Sequence, residues 1–362
     1  MSILFHPKTI SSMTLANRFV RSATAERMAR ANGSLLPEAA KLYGELARGG
    51  VGLIVTGHAY VSPEGKAQLW MTGIDRDSLL PGLKEATDAA HRGGGKIAIQ
   101  INHAGGLKEV DLAEGPPLAP SAMFYPQTGH QAAELSNEEI EQIVEQFGQA
   151  ARRARMADFD AIQIHAAHGY LVNQFLSPLT NHRTDRWGGT LENRMRFLLS
   201  VYRRMRGEVG ASYPLLCKLA ISDFKEGGLT VEEGMEVTEA LAAEGIDALE
   251  ISGGLAGGRY LKGRSDLEWM KQEAYFSPYT RGVKERVRAP VILVGMMRRI
   301  GVMERMITEG YADFIALCRP FIREPDLVNR LRDGLQSDST CASCDLCPGP
   351  ARDEAIACRV PR

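Results

Sequence analysis

Short apolar runs rich in β-branched residues alternate along the chain with amphipathic segments of helical period. Eight of these runs predict strands, which begin near Phe19, Gly52, Lys96, Ala161, Leu215, Ala248, Val291 and Phe314. Helices are predicted between them, for example from Asn137 and from Val231, and Ser136 has the capping-box spacing to Glu139. This alternation predicts an α/β fold of the (β/α)8 TIM-barrel type.

Two stretches fall outside the repeat of strand and helix. Residues 102–135, rich in Gly, Pro and Ala, are too long for an ordinary loop after strand three and predict an excursion over the barrel mouth. The end of the chain carries a cluster of cysteines. We therefore expect a barrel over residues 1–335 and a cysteine-rich tail over residues 336–362. A doubly wound open sheet is the alternative, but no G-x-G-x-x-G follows a strand.

Polar residues interrupt strands that a parallel barrel should bury on both faces. Each lies opposite the apolar face that contacts the helices, so the period of two directs it into the barrel; they are Gln100, Gln163, His165, Lys218 and Glu250. Burying an unpaired polar group costs about 2–7 kcal/mol. These side chains must therefore contact one another, as a structural polar layer, or a polar ligand.

These residues are expected at two depths in the barrel, with a different role at each depth. Gln100, His165 and Lys218 stand near the carboxyl ends of their strands, where barrel enzymes carry their active sites. Gln163 and Glu250 lie deeper and are expected to satisfy one another or Lys218. A buried ammonium needs an anionic partner. Lys218 is either a Schiff-base lysine or a fixed positive charge beside an electron-rich cofactor.

The last two strands end in residues that suit a phosphate group. Gly295 lets the backbone approach a ligand closely, and Arg319 offers a bidentate fork. The loops after strands seven and eight of such barrels commonly bind phosphate. We therefore expect a phosphorylated ligand at this end of the barrel.

His165 and His168 stand three residues apart and are followed by Tyr170. A metal-dependent barrel hydrolase is one hypothesis, with His103 as the nearest third ligand, and simple packing is another. The favoured hypothesis is that the two imidazoles donate N–H groups to a substrate oxygen. Tyr170 would then supply a proton.

The segment from His165 to Phe197 resembles the signature of the Old Yellow Enzyme family of FMN-dependent oxidoreductases. The resemblance extends to NRFVRSATAE, IQINHAG, APSAM, SDF, LVGMMR and ALCRPF elsewhere in the barrel. It implies an ene-reductase that passes a hydride from NADH or NADPH, through FMN, to the C=C bond of an α,β-unsaturated carbonyl compound. An amine demethylase carrying flavin and an iron–sulfur cluster is an alternative within the family.

The resemblance also implies a role for each site residue. Those implied to bind the flavin are Ala23, His58, Gln100, Lys218, Gly295, Met296, Cys318 and Arg319. Those implied to bind the substrate oxygen or protonate its α-carbon are His165, His168 and Tyr170. Gln100 would contact the flavin pyrimidine edge, and Lys218 would lie near N1 and O2, where the reduced ring carries negative charge.

The chain departs from the family pattern at four positions. Lys218 stands where many members have arginine, which replaces a bidentate contact with a point charge. Ala25 stands near the position of a Cys or Thr that tunes the flavin. Cys318 replaces the glycine before Arg319, where it is expected to crowd the phosphate, and Gly106 replaces the arginine of an H-A-G-R turn.

The tail has the pattern C-x2-C-x2-C-x10-C at Cys341, Cys344, Cys347 and Cys358. Four closely spaced cysteines suit an iron–sulfur cluster or zinc; free thiols or a disulfide are the other possibility. The tail is similar to the [4Fe-4S] segment of the trimethylamine dehydrogenase and 2,4-dienoyl-CoA reductase branch of the family. Those relatives carry a further dinucleotide-binding half, which is not found before Arg362. We therefore expect an external electron-transfer partner for a cluster, or a structural role.

Composition and charge limit the classes of partner that this protein is expected to bind. The 362 residues have a net charge of −1, with 44% apolar and 24% charged side chains, which favours neither nucleic acid nor an anionic membrane. The N-terminus shows no signal-peptide pattern, and no apolar run reaches the ~20 residues of a membrane span. We expect a cytoplasmic enzyme with a small-molecule substrate, and a homo-oligomer is allowed. A redox or metal sensor built on the tail is a third class of function.

Overall fold

The computed structural model describes residues 2–109, 115–255, 272–348 and 354–361. Its strands are β1 (Lys8–Ile10), β2 (Met13–Leu15), β3 (Phe19–Arg21), β4 (Leu53–Tyr60), β5 (Lys96–Asn102), β6 (Leu118–Ala119), β7 (Met123–Tyr125), β8 (His130–Glu134), β9 (Ala161–Ala166), β10 (Leu215–Ala220), β11 (Ala248–Ser252), β12 (Val291–Val294) and β13 (Phe314–Leu317). Its α-helices are α1 (Pro37–Arg48), α2 (Leu80–Arg92), α3 (Asn137–Met156), α4 (Leu171–Leu176), α5 (Leu191–Val209), α6 (Val231–Glu244), α7 (Ser277–Arg286), α8 (Ile300–Thr308), α9 (Arg319–Arg323) and α10 (Leu327–Arg332).

Eight parallel strands close into a barrel in the order β3, β4, β5, β9, β10, β11, β12 and β13, and β13 pairs with β3. All eight predicted strands are confirmed, and the open-sheet alternative is wrong. Each strand follows the previous one around the ring in chain order, which is the TIM-barrel topology.

The period of two along the strands divides the apolar core into two layers. The outer layer packs barrel residues such as Ile97, Ile99 and Ile101 against the helices. The inner layer fills the barrel with small and branched side chains, among them Val20, Leu53, Val55, Ala98, Leu216 and Ile292. The β1–β2 hairpin, which the sequence did not predict, packs Ile10, Met13 and Leu15 into this inner layer.

The capping box predicted at the start of α3 is confirmed. The Ser136 hydroxyl accepts from the Glu139 backbone N–H, and the Glu139 carboxylate accepts from the Ser136 backbone N–H. The structure shows the same reciprocal pair at α6, between Thr230 and Glu233. These caps satisfy backbone donors that a helix N-terminus leaves unpaired.

The predicted excursion after β5 contains a small sheet in the order β6, β8, β7. The buried Arg183, in the loop after α4, holds it by donating Nη1 to the backbone oxygens of Pro120 at 3.1 Å and Leu135 at 2.6 Å. The ion pair with Asp185 fixes the same guanidinium. The excursion is therefore tied to the carboxyl end of the barrel.

The described parts of the tail contact the loops that follow β3 and β13. The Ile356 N–H donates to the Glu26 backbone oxygen, and Arg27 donates to the Pro348 backbone oxygen. Arg323, at the end of α9, donates to the Val360 backbone oxygen. The tail thus packs beside the first and last strands of the barrel.

No helix within the described ranges combines the length and the apolar character that crossing a membrane requires.

Candidate active site

A chain of hydrogen bonds at the centre of the barrel joins the polar residues predicted there. Glu250 is 0% exposed and is paired with the Lys218 ammonium at 3.0 Å. It accepts from Ser22 Oγ at 2.6 Å and from Gln163 Nε2 at 2.8 Å. Gln163 Oε1 in turn accepts from Gln100 Nε2 at 2.7 Å. Four of the five predicted inward residues therefore satisfy one another.

The environment of Lys218 distinguishes between its two predicted roles. Its ammonium donates to Ser22 Oγ at 2.8 Å and lies beside the Glu250 carboxylate. Neighbouring strands bring these groups together, because Lys218 and Glu250 are directly opposite in the β10–β11 register. An ammonium held by a buried carboxylate and a hydroxyl favours a fixed positive charge over a Schiff-base nucleophile.

A cluster of four rings lies at the carboxyl ends of β4 and β9. The His165 ring centroid is 5.0 Å from that of His168 and 5.0 Å from that of Tyr170. The His58 centroid is 5.0 Å from that of Tyr170 and 5.9 Å from that of His165. The backbone of His168 has φ 62°, a left-handed conformation that is rare for a residue with a side chain. Such strain is typical of functional loops.

His168 and His58 each have a side-chain partner at one ring nitrogen, whereas one buried ring nitrogen of His165 has none among the described residues. His168 Nε2 lies 2.7 Å from Ser252 Oγ, and His58 Nδ1 lies 3.0 Å from Asn102 Nδ2. His165 Nδ1 is buried and has no hydrogen-bond partner among the described residues. An unpaired buried polar atom costs about 1–3 kcal/mol. The ring is therefore set to meet a ligand atom.

Burial keeps the histidines of this cluster neutral near pH 7. Burial lowers the pKa of His58 to about 4. Burial, followed by the charges of Lys218 and His58, lowers the pKa of His168 to about 3. The pKa of His165 is lowered well below its ordinary value by burial and then by the charges of His168, His58 and Lys218. A neutral imidazole donates a single N–H, which suits a carbonyl oxygen.

His103, the third metal ligand of the hydrolase hypothesis, contacts Gly65 and Gly105. Its Nδ1 accepts from the Gly105 N–H at 3.1 Å. Its ring packs so closely on Gly65 that a Cβ there would come within 2.3 Å of it. Within the described ranges, no three His, Cys, Asp or Glu side chains are grouped to hold a metal ion. The histidine pair thus fits hydrogen bonding to a substrate better than metal ligation.

The residues that the resemblance implies for the phosphate, Gly295, Met296 and Arg319, line one cavity of about 170 Å³ at the ends of β12 and β13. Cys318, expected to crowd the phosphate, lines the same cavity, together with Tyr275 and Ser343 among others. Gly295 has φ 136°, and a Cβ there would lie 3.2 Å from the Tyr275 ring. The backbone conformation therefore favours glycine, and the close ring leaves little room for a Cβ.

The Arg319 guanidinium faces the tail as well as the cavity. Its Nη1 is 2.5 Å from Asp345 Oδ1 and 3.2 Å from the Ser343 backbone oxygen. The Asp345 carboxylate of the tail is therefore paired with the Arg319 guanidinium, which is predicted from the sequence to bind a phosphate. Next to it, Cys318 Sγ lies 2.8 Å from Thr24 Oγ1.

Two further predicted flavin residues lie at the ends of the first two strands. Ala23 is half-buried and packs on the inner layer of the barrel. His58 follows a register shift between Val55 and His58 in the β4–β5 pairing, and such bulges are common beside active sites. The Gly57 N–H donates to both Glu26 carboxylate oxygens. The structure thus places every predicted barrel site residue at the carboxyl ends of the strands.

Sequence reasoning missed several residues that hold this site. Ser252 shares a strand face with Glu250, so the alternation carried a signal for it. Ser22 directly follows β3 and was also open to prediction. The contacts of Asp345 and Tyr275 join segments that are distant in sequence, so no local sequence pattern predicts them.

The described tail contains no disulfide among its four cysteines; Cys341 and Cys347 are buried, Cys358 is half-buried and Cys344 is exposed. Burial, followed by the charges of Cys341, Cys318, Cys358 and Cys344, raises the pKa of Cys347 to about 11. The four cysteines are not arranged as a set of three or more metal ligands in the described part of the tail.

Comparison with known proteins agrees with this geometry. The model of the NADH:flavin oxidoreductase / NADH oxidase family matches residues 3–338. The chain belongs to this family. The resemblance to Old Yellow Enzymes is thereby confirmed, and it is supported by the structure of an Old Yellow Enzyme homologue from Zymomonas mobilis, with a TM-score of 0.81 and 28% identity over 92% of this chain and 93% of that one.

Several longer proteins are also similar to this chain. An NADH oxidase of Thermoanaerobacter brockii is 38% identical over 95% of this chain and 53% of that protein. The structure of a 2-naphthoyl-CoA reductase complex has a TM-score of 0.90 and 29% identity, over 98% of this chain and 56% of that one. Histamine dehydrogenase from Rhizobium sp. 4-9 has a TM-score of 0.81 and 28% identity, over 92% and 48%. The chain thus spans about half the length of these relatives.

The lowered histidine pKa values predict how stability depends on pH. An imidazole whose pKa is lowered by folding binds its proton more readily in the unfolded chain. Its contribution is therefore complete above the unfolded value of about 6.5 and is lost as the pH falls below it. Each such histidine adds a slope of up to about 1.4 kcal/mol per pH unit below pH 6.5. We expect His168→Asn to unfold with a shallower slope between pH 6.5 and 4.

Urea denaturation of wild type and His168→Asn at several pH values measures this slope, and His6→Asn, in the exposed N-terminal segment, is the control. An unchanged slope in His168→Asn would show that His168 is protonated as readily in the folded chain as in the unfolded one.

The Asp345–Arg319 ion pair predicts competition between the tail and a phosphate. We expect Asp345→Asn to bind FMN several-fold more tightly, because the guanidinium is released and a negative charge is removed. Riboflavin, which has no phosphate, should bind both proteins equally. Quenching of flavin fluorescence measures both affinities. Asp333→Asn, which removes an exposed carboxylate paired with Arg332, is the matched control, and weaker FMN binding by Asp345→Asn would contradict the competition.

Proposed function

We propose that this chain is an FMN-dependent oxidoreductase that uses NADH or NADPH to reduce the C=C bond of an α,β-unsaturated carbonyl compound. The observation that carries the proposal is the buried, unpartnered Nδ1 of His165. It belongs to a neutral ring in contact with His168 and Tyr170, at the mouth of a barrel whose family reacts with flavin.

The side chains at the barrel mouth fit FMN in two places. Gln100 and Lys218 would hold the pyrimidine edge, because their amide and ammonium supply the donors and the acceptor that this edge needs. The cavity beside Gly295 and Arg319 offers close backbone and a guanidinium for the phosphate. When bound, FMN supplies the two-electron chemistry that links the nicotinamide donor to the substrate.

His165 and His168 would bind the carbonyl oxygen of the substrate. Both rings are neutral, so each offers an N–H donor without the cost of burying a second cation beside Lys218. Negative charge grows on that oxygen as the alkene accepts a hydride, and fixed donors stabilise it. Losing one such donor typically costs about 10²–10³ in rate.

Tyr170 would supply the proton to the α-carbon. Its half-buried ring packs against a buried apolar cluster of Tyr60, Ala67, Met71 and Ala104. The ring also contacts His58 and His165, so its position relative to the carbonyl donors is fixed on both sides. Such a positioned acid contributes about 10²–10⁴ in rate.

Tyr170→Phe tests the proton step separately from flavin reduction. We expect turnover of 2-cyclohexenone to fall about 100-fold, whereas stopped-flow reduction of the enzyme by NADH or NADPH keeps its rate. Tyr60→Phe, in the apolar cluster beside Tyr170, removes a hydroxyl that is hydrogen-bonded to the Asn32 backbone oxygen and is the matched control. Equal loss in both half-reactions, or no loss in turnover, would contradict the role of Tyr170.

Amine oxidation is the second candidate, because histamine dehydrogenase shares the fold. Neutral imidazole donors beside the buried Lys218 favour a carbonyl oxygen over a cationic amine. Parallel assays with 2-cyclohexenone and with histamine plus an electron acceptor distinguish the two. Turnover of histamine alone would favour the amine dehydrogenase.

We further propose that Cys341, Cys344, Cys347 and Cys358 bind a [4Fe-4S] cluster, with zinc as the alternative. Four thiols closely spaced in the sequence suit either group in their chemistry, and Arg323 lies 3.3 Å from the Cys358 sulfur. The described positions are not those of a metal-ligand set, so binding requires the thiols to move together.

Metal analysis tests the tail. Protein purified without oxygen should hold about four irons and four sulfides per chain, and Cys347→Ser should lose them. Cys217→Ser, which removes a buried thiol of the barrel, should retain them. Zinc in place of iron would favour the alternative, and wild-type protein without either would contradict both.

A further inference from the structure

The direction of the hydrogen bonds from Glu250 to Gln100 is dictated by chemistry. A carboxylate only accepts hydrogen bonds, so the group of Gln163 that faces Glu250 must be its amide NH₂. The Gln163 carbonyl oxygen then faces Gln100, and Gln100 must donate its own NH₂ to it. One hydrogen of that NH₂ and the carbonyl oxygen of Gln100 are left for a ligand.

Glu250 therefore acts on both residues expected to face the flavin. It reaches Gln100 through Gln163, and it contacts Lys218 directly at 3.0 Å. Ser22 donates to Glu250 and accepts from Lys218, which fixes the geometry of the pair. Bulk water does not reach the carboxylate, which has no solvent exposure, so these contacts are weakly screened.

We propose that Glu250 is a positioning residue that lowers the reduction potential of the flavin bound above it. The inference rests on the proposed function, which places FMN against Gln100 and Lys218. A reduced flavin carries negative charge at the edge that faces Lys218. A carboxylate 3.0 Å from that ammonium cancels part of its field, so the reduced flavin gains less from Lys218 than from an unpaired cation.

Removing the charge of Glu250 should raise the reduction potential of the flavin. Glu250→Gln keeps the shape of the side chain and leaves the field of Lys218 uncancelled. We expect the reduced flavin to bind about 10-fold more tightly relative to the oxidised flavin, which is a positive shift of about 30 mV for a two-electron couple. Glu250→Asp keeps the charge and should keep the potential near that of wild type.

The experiment is a spectroelectrochemical titration of the FMN-loaded protein, which measures the midpoint potential without turnover. Asp247→Asn is the matched control. Asp247 precedes the same strand and is paired with Arg206 at 2.6 Å at the opposite end of the barrel. Its removal should leave the potential unchanged.

A double variant keeps the proposal testable if Glu250→Gln does not fold. Lys218→Gln with Glu250→Gln removes both charges and leaves no unpaired ion in the barrel. We expect its potential to be near that of wild type, whereas Lys218→Gln alone should have a more negative one. A double variant as negative as Lys218→Gln alone would show that Glu250 has no effect on the flavin.

The outcomes separate this inference from the proposed function. Wild-type protein that binds no FMN would overturn the proposed function. Wild-type protein that binds FMN, together with a Glu250→Gln potential equal to that of wild type, would overturn the inference alone.

Discussion

A charged pair without access to water lies at the centre of this barrel, and the rest of the site is arranged around it. Transferring a carboxylate and an ammonium out of water costs several kcal/mol for each ion, and their attraction offsets this only when further hydrogen bonds complete the geometry. Ser22 and Gln163 supply those bonds to Glu250. The pair is thus poor evidence for stability, since an apolar layer would fill the same space. Its retention is better explained by what it presents to a ligand at the barrel mouth.

The barrel orders its chemistry along the strand direction. Apolar side chains and the β1–β2 hairpin fill the lower interior. The hydrogen-bonded layer of Glu250 and Lys218 lies above them. His165 is level with this layer, because it is directly opposite Lys218 in the β9–β10 register, and His168 and Tyr170 follow the end of β9. The layer is buried enough to strengthen electrostatic interactions. A cofactor edge and a substrate oxygen are the groups that this arrangement suits.

Much of the barrel and its inner polar layer can be predicted from the pattern of polar and apolar residues in the sequence, whereas other parts of the structure cannot. The eight barrel strands follow from alternation and repeat, and the inward direction of Gln100, Gln163 and Lys218 follows from the period of two. The β1–β2 hairpin was missed because its strands have three residues each, too few to show a period. The approach of Asp345 to Arg319 was missed because it joins two loops whose packing is set by tertiary contacts.

We propose that the layer of Gln100 and Lys218 binds the pyrimidine edge of FMN while Arg319 binds its phosphate. The decisive measurement is a crystal structure of the chain reconstituted with FMN. We expect the pyrimidine edge within hydrogen-bonding distance of Gln100 and Lys218, the phosphate in the cavity beside Gly295, and the open face of the ring beneath His165 and His168. FMN bound elsewhere, or no FMN bound after reconstitution, would refute these assignments.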